Sequence, residues 1–408
     1  MTWFIHSALI GMLAGSGNSN ESFVVADRVG HPTPGPLFNE GDQENNLLDK
    51  RTLSRVLRIP VCRSWCGQAD KGKGRAGSST GMLADPKKQK AGETSEQPDP
   101  VLVFTEPEII HILDQAGNVV IGSGRSGRVW AGLIPDGFRG GLSAQQVAVK
   151  EYSFRELKTF HLWEIEREHL MKLNHPNIVR LIGYFHDKPH DGQEKKALVL
   201  EHVPGGNLKE RIFGTEERPE VVPIEWDKRV DILHDVAKAM TYLHEKNLIY
   251  RDLKAVNIVL DPEMNAKLVD FGATIDGPRP PNTFIQAPET MGTPGYTDPS
   301  YRKKGRASIG IDTYSFGVLM LVVLLGRKPI SRKGKDLAVK INGKKYKSRA
   351  LDFLLSKKLR PSPYQPKELQ SLIALARRCL RKASKRPSDN EILKEFQDIQ
   401  ALRPARHR

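Results

Sequence analysis

The chain has 408 residues, room for two or three domains at about 150 residues each. With 38% apolar and 27% charged residues it is neither wholly disordered nor a membrane bundle. The net charge of +15 is uneven: residues 327–408 hold 24 Lys/Arg against 7 Asp/Glu. Such a segment could meet anionic lipid, nucleic acid or an acidic partner, or simply be a solvated face. No aromatic interleaving accompanies it, so no nucleic acid is expected. Three cysteines, Cys62, Cys66 and Cys379, exclude a disulfide framework and point to a reducing compartment. The longest apolar run, Phe316 to Leu325, falls short of the roughly 18 residues of a membrane span and reads as a buried helix.

Residues 1–100 form a low-complexity extension. Stretches such as Gly-Ser-Gly-Asn-Ser-Asn and His-Pro-Thr-Pro-Gly-Pro bury too little to offset the entropy of ordering. Leu47 to Ile59 alone has helical spacing and is a candidate for folding on a partner. The apolar stretch 3–14 has no basic residue before it, unlike a secretory signal. Cys62 and Cys66 have no second ligand pair nearby, so zinc is not expected; free thiols are the simpler reading, palmitoylation beside basic residues the alternative.

From about residue 101 the pattern tightens. Strand-like runs at Val119–Ile121, Val129–Ala131, Val147–Lys150 and Ala197–Leu200 precede long helical stretches. An α+β fold is expected, with a small sheet-rich lobe over about 101–203, a larger helical lobe over about 204–400 and a basic tail over 401–408. The cleft between the lobes is the natural ligand site. In Ile121-Gly-Ser-Gly-Arg-Ser-Gly-Arg-Val129, Gly122, Gly124 and Gly127 would let backbone amides approach phosphate oxygens. A β-like Arg-Val-Trp-Ala follows instead of a helix, so the loop is a hairpin tip and not a dinucleotide motif.

Strand alternation puts Ala148 and Lys150 on one face. A small Ala beside an inward Lys leaves space for a flat ring and a cation for its phosphates. A buried lysine needs a partner. Glu166 supplies one, because it lies on the helical stripe of Leu162, Leu170 and Leu173 while Glu164 and Glu168 lie off it. A helix over Arg229–Glu245 then leads to Tyr250-Arg-Asp-Leu-Lys-Ala-Val-Asn257, and Asp270-Phe-Gly272 stands 18 residues beyond Asp252.

In this order these motifs resemble the eukaryotic protein kinases. The finer resemblance is to the plant receptor-like and Pelle-related kinases. It rests on Phe104-Thr, His175-Pro-Asn-Ile-Val-Arg-Leu-Ile-Gly-Tyr184, Tyr242-Leu-His, Gly292-Thr-Pro-Gly-Tyr296 with Asp298-Pro, Asp312-Thr-Tyr-Ser-Phe-Gly317, Gly326-Arg-Lys-Pro and Arg386-Pro-Ser388. With no ectodomain or span read before the motifs, the receptor-like cytoplasmic members are the nearest likeness.

The resemblance implies a serine/threonine protein kinase that uses ATP with Mg²⁺, or Mn²⁺, in signalling downstream of a receptor kinase. It implies a cytoplasmic location, with peripheral contact to an anionic plasma membrane open to the basic segment. Asp252 would accept the hydroxyl proton of a protein substrate and Lys254 would neutralise the phosphoryl group. Asn257 and Asp270 would hold the metal, and Lys150, oriented by Glu166, would grip the phosphates. Ile121, Gly122, Gly124, Gly127, Val129, Ala148 and Val259 would enclose the nucleotide. Leu200 would be the gatekeeper, with Glu201 to Val203 as the hinge. Leu170, Leu181, Tyr250 and Phe271 would stack into an internal spine. Arg251 would meet a phosphate on the activation loop, with Thr290 the candidate phosphosite, and Thr293 would contact Asp252 and Lys254.

Three departures from the family pattern carry expectations. Tyr250 replaces a histidine, at little cost because an aromatic ring fills the same site. Ser300 replaces an acidic residue, so Arg386 is expected to lack its ion-pair partner and the substrate-binding segment to loosen; this supports the alternative of a nucleotide-binding pseudokinase or scaffold. The connection Gly132–Gln145 is long and is expected to protrude.

Overall fold

The computed structural model describes residues 100–124, 127–139, 142–152, 157–188, 194–214, 223–343 and 366–401. Residues 1–99 of the extension, with Leu47–Ile59 and the Cys62/Cys66 pair, lie outside these residues, as do the tip of the glycine loop and residues 402–408 of the tail, whose expected first residue, Ala401, ends a helix.

The N-terminal portion is a six-stranded sheet in the order β1-β5-β6-β4-β3-β2. Its strands are β1 (Leu102–Phe104), β2 (Val120–Gly124), β3 (Gly127–Ile134), β4 (Gln145–Tyr152), β5 (Leu181–Asp187) and β6 (Lys195–Glu201). Pairing is antiparallel except for β1 on β5. The strand expected at Val119–Ile121 begins one residue later and runs through the glycines. The other expected strands are longer than their apolar runs, and β1 and β5 had no alternation clear enough to announce them. Central β4 carries Lys150, which is therefore not an edge-strand surface lysine. Gly127 sits at φ +143°, and a Cβ there would come within 1.9 Å of the Glu151 carbonyl oxygen, so only glycine closes this hairpin.

Two helices flank the sheet. Helix α1 (Glu106–Gln115) starts at Thr105, whose backbone N–H donates to Glu108 at 2.7 Å, as in a capping box. Helix α2 (Leu157–Leu170) carries Glu166 inward. Its buried face includes Trp163 as well as Leu170, while Leu162 is only half-buried. The described part of the 132–145 connection does not stand out as expected but packs on α1 at Phe138 and Arg139. Gly132 to Ile134 and Gln145 belong to strands, and the Phe138 ring stacks on His111 with centroids 5.8 Å apart. Arg139 donates to both carboxylate oxygens of Glu108 at 2.7 Å. An aromatic ring and a fork-shaped cation pull the loop onto α1.

The C-terminal portion is helical: α3 (Leu208–Phe213), α4 (Trp226–Glu245), α5 (Pro299–Lys304), α6 (Gly310–Leu325), α7 (Leu337–Asn342), α8 (Pro366–Cys379) and α9 (Asp389–Ala401). Helix α4 begins three residues before the expected Arg229. Ile311 to Leu325 of α6 are all buried, as expected of a helix apolar on every side. Gly317 admits α8 there: a Cβ would lie 2.7 Å from Cys379 Cβ. Short pairs β7 (Leu248–Ile249) with β10 (Ile275–Asp276), β8 (Ile258–Leu260) with β9 (Ala266–Leu268), and β11 (Ile285–Gln286) with β12 (Arg306–Ala307) hold the loops between α4 and α6. Among the described residues no helix is long and apolar enough to cross a membrane.

Arg386 does not lack a partner. Its Nη1 lies 2.6 Å from Asp298 Oδ2, two positions before the serine that stands in the expected acidic place. Ser300 supports the pair: its backbone N–H and its hydroxyl each donate to Asp298 Oδ1 at 2.7 Å. The segment is pinned by a buried ion pair supplied by a neighbouring residue, and the expected loosening does not follow.

Candidate functional site

Three elements converge on one buried ammonium. Lys150 Nζ, from β4, donates to Glu166 Oε2 of α2 at 2.6 Å and to Asp270 Oδ1, just after β9, at 2.8 Å. Tyr152 donates through its hydroxyl to the same Glu166 oxygen at 2.5 Å. Burial works against a charged lysine here, but the charges of Asp270 and Glu166 outweigh it and raise the Lys150 pKa. Burial pushes the Glu166 carboxyl up, against the pull of Lys150. Burial also opposes ionisation of Asp270, and the Lys150 charge overrides it and holds that carboxyl below its ordinary value. Asp270 has φ +67° and Arg251 φ +69°, left-handed conformations that non-glycine residues adopt at a cost and that gather at functional sites.

The second half of the site is the loop after β7. Asp252 Oδ2 receives Lys254 Nζ at 2.6 Å, and Asp252 Oδ1 receives the Thr293 hydroxyl at 2.7 Å. Asn257 Nδ2 donates to the Asp252 backbone carbonyl at 3.1 Å, which leaves the Asn257 Oδ1 as an acceptor. Asn257 Oδ1 and the Asp270 carboxylate, which keeps 35% of its side-chain surface exposed, are hard oxygen donors of the kind that suit a small divalent cation. Two carboxylates on one ammonium also leave a negative excess that such a cation would neutralise.

The loop is held from beneath. Backbone N–H groups of Tyr250 and Arg251 both donate to Asp312 of α6 at 2.8 Å. The Tyr250 ring meets Phe271 edge-on with centroids 5.3 Å apart. Its hydroxyl also donates to the Val269 carbonyl at 2.5 Å, a tie that ring shape alone does not reveal. Leu170 and Leu181 are buried in the same core.

Other expected site residues are placed as follows. Ala148 pairs with Leu200 across β4 and β6, and both are buried. Val129 is half-buried and pairs with Lys150. Ile121 is exposed, and Gly122 and Gly124 lie on β2. The hinge runs out of β6: Glu201 takes Lys267 Nζ at 2.8 Å, and Val203 is half-buried. Gly205 N–H then donates to the Leu260 carbonyl at 2.8 Å, and Asn207 bridges to Val259, bringing hinge and β8 side by side. Thr290 is exposed. Arg251 donates through Nε to the Ala273 carbonyl, and through Nη1 to the Glu289 carbonyl at 3.2 Å, next to Thr290. Tyr152 and Trp163 were missed. The same alternation that turns Lys150 inward turns Tyr152 inward.

Comparison with known proteins agrees with this geometry. A family model described as protein kinase domain matches residues 117–396. The chain is 36% identical over 280 residues to EPD1-interacting receptor-like cytoplasmic serine/threonine-protein kinase 5A of Gossypium barbadense, a match covering 67% of this chain and 58% of that protein. It is 36% identical over 305 residues to serine/threonine-protein kinase PBL13 of Arabidopsis thaliana, covering 73% and 60%. A third relative, named "Probable serine/threonine-protein kinase PBL8" in Arabidopsis thaliana, is 32% identical over 333 residues, covering 79% and 78%. The chain thus spans about three fifths of the length of the first two.

Proposed function

Because this chain belongs to the protein kinase family and is similar to plant receptor-like cytoplasmic serine/threonine kinases, we propose that it is an active kinase transferring the γ-phosphoryl group of ATP to Ser or Thr hydroxyls of protein substrates. One observation carries this reading: Lys150 joins Glu166 and Asp270 in one cluster, while Asp252 is oriented by Lys254, Asn257 and Thr293. A core pair of aspartates with no chemistry would have no reason for such donors.

In this reading Lys150 binds the α- and β-phosphates and Glu166 fixes its direction. The backbone of Gly122, Gly124 and Gly127 covers the phosphates. Ile121, Val129, Ala148 and Val259 enclose the adenine, Leu200 limits the pocket's depth, and Glu201 to Val203 present hinge groups to its edge. Asn257 and Asp270 hold Mg²⁺, or Mn²⁺, which supplies neutralisation of phosphate charge when bound. Asp252 accepts the proton of the attacking hydroxyl, whose oxygen forms the new P–O bond as the bond to the ADP oxygen breaks. Lys254, already on Asp252, offsets charge on the group in flight. Thr293, bonded to the same carboxylate, supports preference for Ser/Thr hydroxyls.

Arg251 beside the Glu289 carbonyl supports Thr290 as a regulatory phosphosite. The basic segment 327–408 supports peripheral contact with an anionic membrane, expected as vesicle binding that weakens steeply with salt. A receptor kinase is the proposed upstream partner. The pseudokinase alternative was motivated by the loss of an ion pair through Ser300, and Arg386 has that ion pair with Asp298 instead.

The test is direct. Purified full-length chain with radiolabelled ATP and Mg²⁺ autophosphorylates on Ser/Thr, and Asp252→Asn abolishes the label. Equal labelling of both would defeat the proposal, and mass spectrometry of the product reports whether Thr290 carries phosphate.

A further inference from the structure

Strand pleating puts Ala148, Lys150 and Tyr152 of β4 on one face. Tyr152 is 1% exposed, and its position pairs with Gly127 of the glycine loop across the sheet. Its hydroxyl and the Lys150 ammonium donate to the same oxygen, Glu166 Oε2, at 2.5 and 2.6 Å. The Lys150 Nζ also lies 5.2 Å from the Tyr152 ring centroid. Glu166 itself is 0% exposed, and its other oxygen, Oε1, has no hydrogen-bond partner among the described residues. Among the described residues, two donors on one oxygen are the hydrogen-bond compensation for a buried carboxylate, and one of the two is the working group of the site.

We infer that Tyr152 is a positioning residue for phosphoryl transfer: its hydroxyl anchors the Glu166 carboxylate and aims it at Lys150. This rests on the kinase reading above, in which Lys150 grips the nucleotide phosphates. The physical reason is the cost of burial. A carboxylate in the interior goes neutral unless donors hold it charged, and a neutral Glu166 releases Lys150 entirely to Asp270. The charged and titratable groups facing Glu166 are Lys150 and Tyr152 from β4, Asp270 from the segment after β9 and, more weakly, the Tyr250 phenol from the loop after β7. Lys150 and Tyr152 favour the ionised form, and Asp270, a like charge, opposes it. Tyr152 stays a donor throughout, because burial and then the Glu166 charge push its phenol well above the ordinary value.

Tyr152→Phe in the full-length chain removes the hydroxyl and keeps the ring. Phosphotransfer to a generic protein substrate is followed against pH and ATP concentration. A hydrogen bond to a charged group is worth enough for kcat/KM for ATP to fall by roughly tenfold at neutral pH. The acid limb of the profile moves to higher pH by about one unit, since Glu166 now takes its proton earlier. Tyr184→Phe, at a half-buried tyrosine of β5, leaves the limb in place. An active wild type with an unchanged limb and unchanged kcat/KM in Tyr152→Phe would overturn the inference. If wild type and Asp252→Asn are equally inert, the kinase reading fails, and infrared titration still decides the role of Tyr152. The carboxylic-acid C=O band absent from Glu166→Gln then appears at higher pH in Tyr152→Phe than in wild type; coincident titrations overturn the inference.

Discussion

Two buried ion pairs in this chain have the same separation and opposite characters. Lys150–Glu166 and Arg386–Asp298 both close to 2.6 Å. Around Arg386 one cation meets one carboxylate: it also donates to the Gly310 and Arg381 carbonyls at 2.7 and 2.9 Å, its guanidinium lies over Tyr314, and Ser300 donates twice to Asp298 Oδ1, while Asp298 Oδ2 has the Arg386 ion contact alone among the described residues. Around Lys150 the accounts stay open. One ammonium serves two carboxylates, and Asp270 sits on left-handed backbone. A closed pair fixes geometry; an open, over-acidic one is arranged for charge that arrives with a ligand.

The comparison breaks most visibly at Lys150. Lys150→Met lowers phosphotransfer by about 10²–10³-fold, yet the fold survives, because Glu166 neutralises itself by taking a proton. Activity assays beside thermal melts check both halves. At the closed pair the balance reverses. Arg386→Met strands a buried Asp298 and costs about 3–5 kcal/mol of stability, read by denaturant unfolding. If both variants lose only activity, or both lose only stability, the contrast is wrong.

His244 sharpens the contrast as a third buried case. Burial disfavours its charge, but hydrogen bonds to Asp312 and Asp389 overcome that and raise its pKa to about 9. The raised pKa makes the sign clear: the stabilisation is complete below the unfolded value of about 6.5 and is lost as pH rises through about 9. It amounts to on the order of 3 kcal/mol, and His244→Gln flattens the pH dependence of unfolding over that interval. Because Asp312 also holds the backbone of Tyr250 and Arg251, activity of the wild type declines over the same window. The smallest effect belongs to the half-exposed pair Arg139–Glu108: Arg139→Ala costs about 1 kcal/mol or less, seen as a small drop in melting temperature with activity retained.

The charged residues of the site were legible in the sequence because their chemistry forces their spacing. Asp252, Asn257 and Asp270 stand in fixed order, and Glu166 could be chosen over Glu164 and Glu168 because only it shares a helical face with Leu162 and Leu170. The fold class followed from strands preceding helices. What stayed hidden depends on tertiary partners. Nothing local shows that Arg139 reaches 31 residues back to Glu108, so the loop was read as protruding. The Arg386 pair was sought at one position, 300, and found at Asp298, since a carboxylate two residues away reaches the same guanidinium. Strand β5 carries no clean alternation because both of its faces are largely covered, and β1, an edge strand of three residues, is too short to show one. Tyr152 was within reach of the alternation rule, which had been applied only as far as Lys150.

The most direct test of the central claim is a crystal structure of the chain with a non-hydrolysable ATP analogue and Mg²⁺. The account predicts α- and β-phosphate oxygens on Lys150, metal density on Asn257 and Asp270, and the terminal phosphate facing Asp252. A nucleotide bound elsewhere, or phosphates that leave the Lys150–Asp270 contact unchanged and touch none of these side chains, would contradict it.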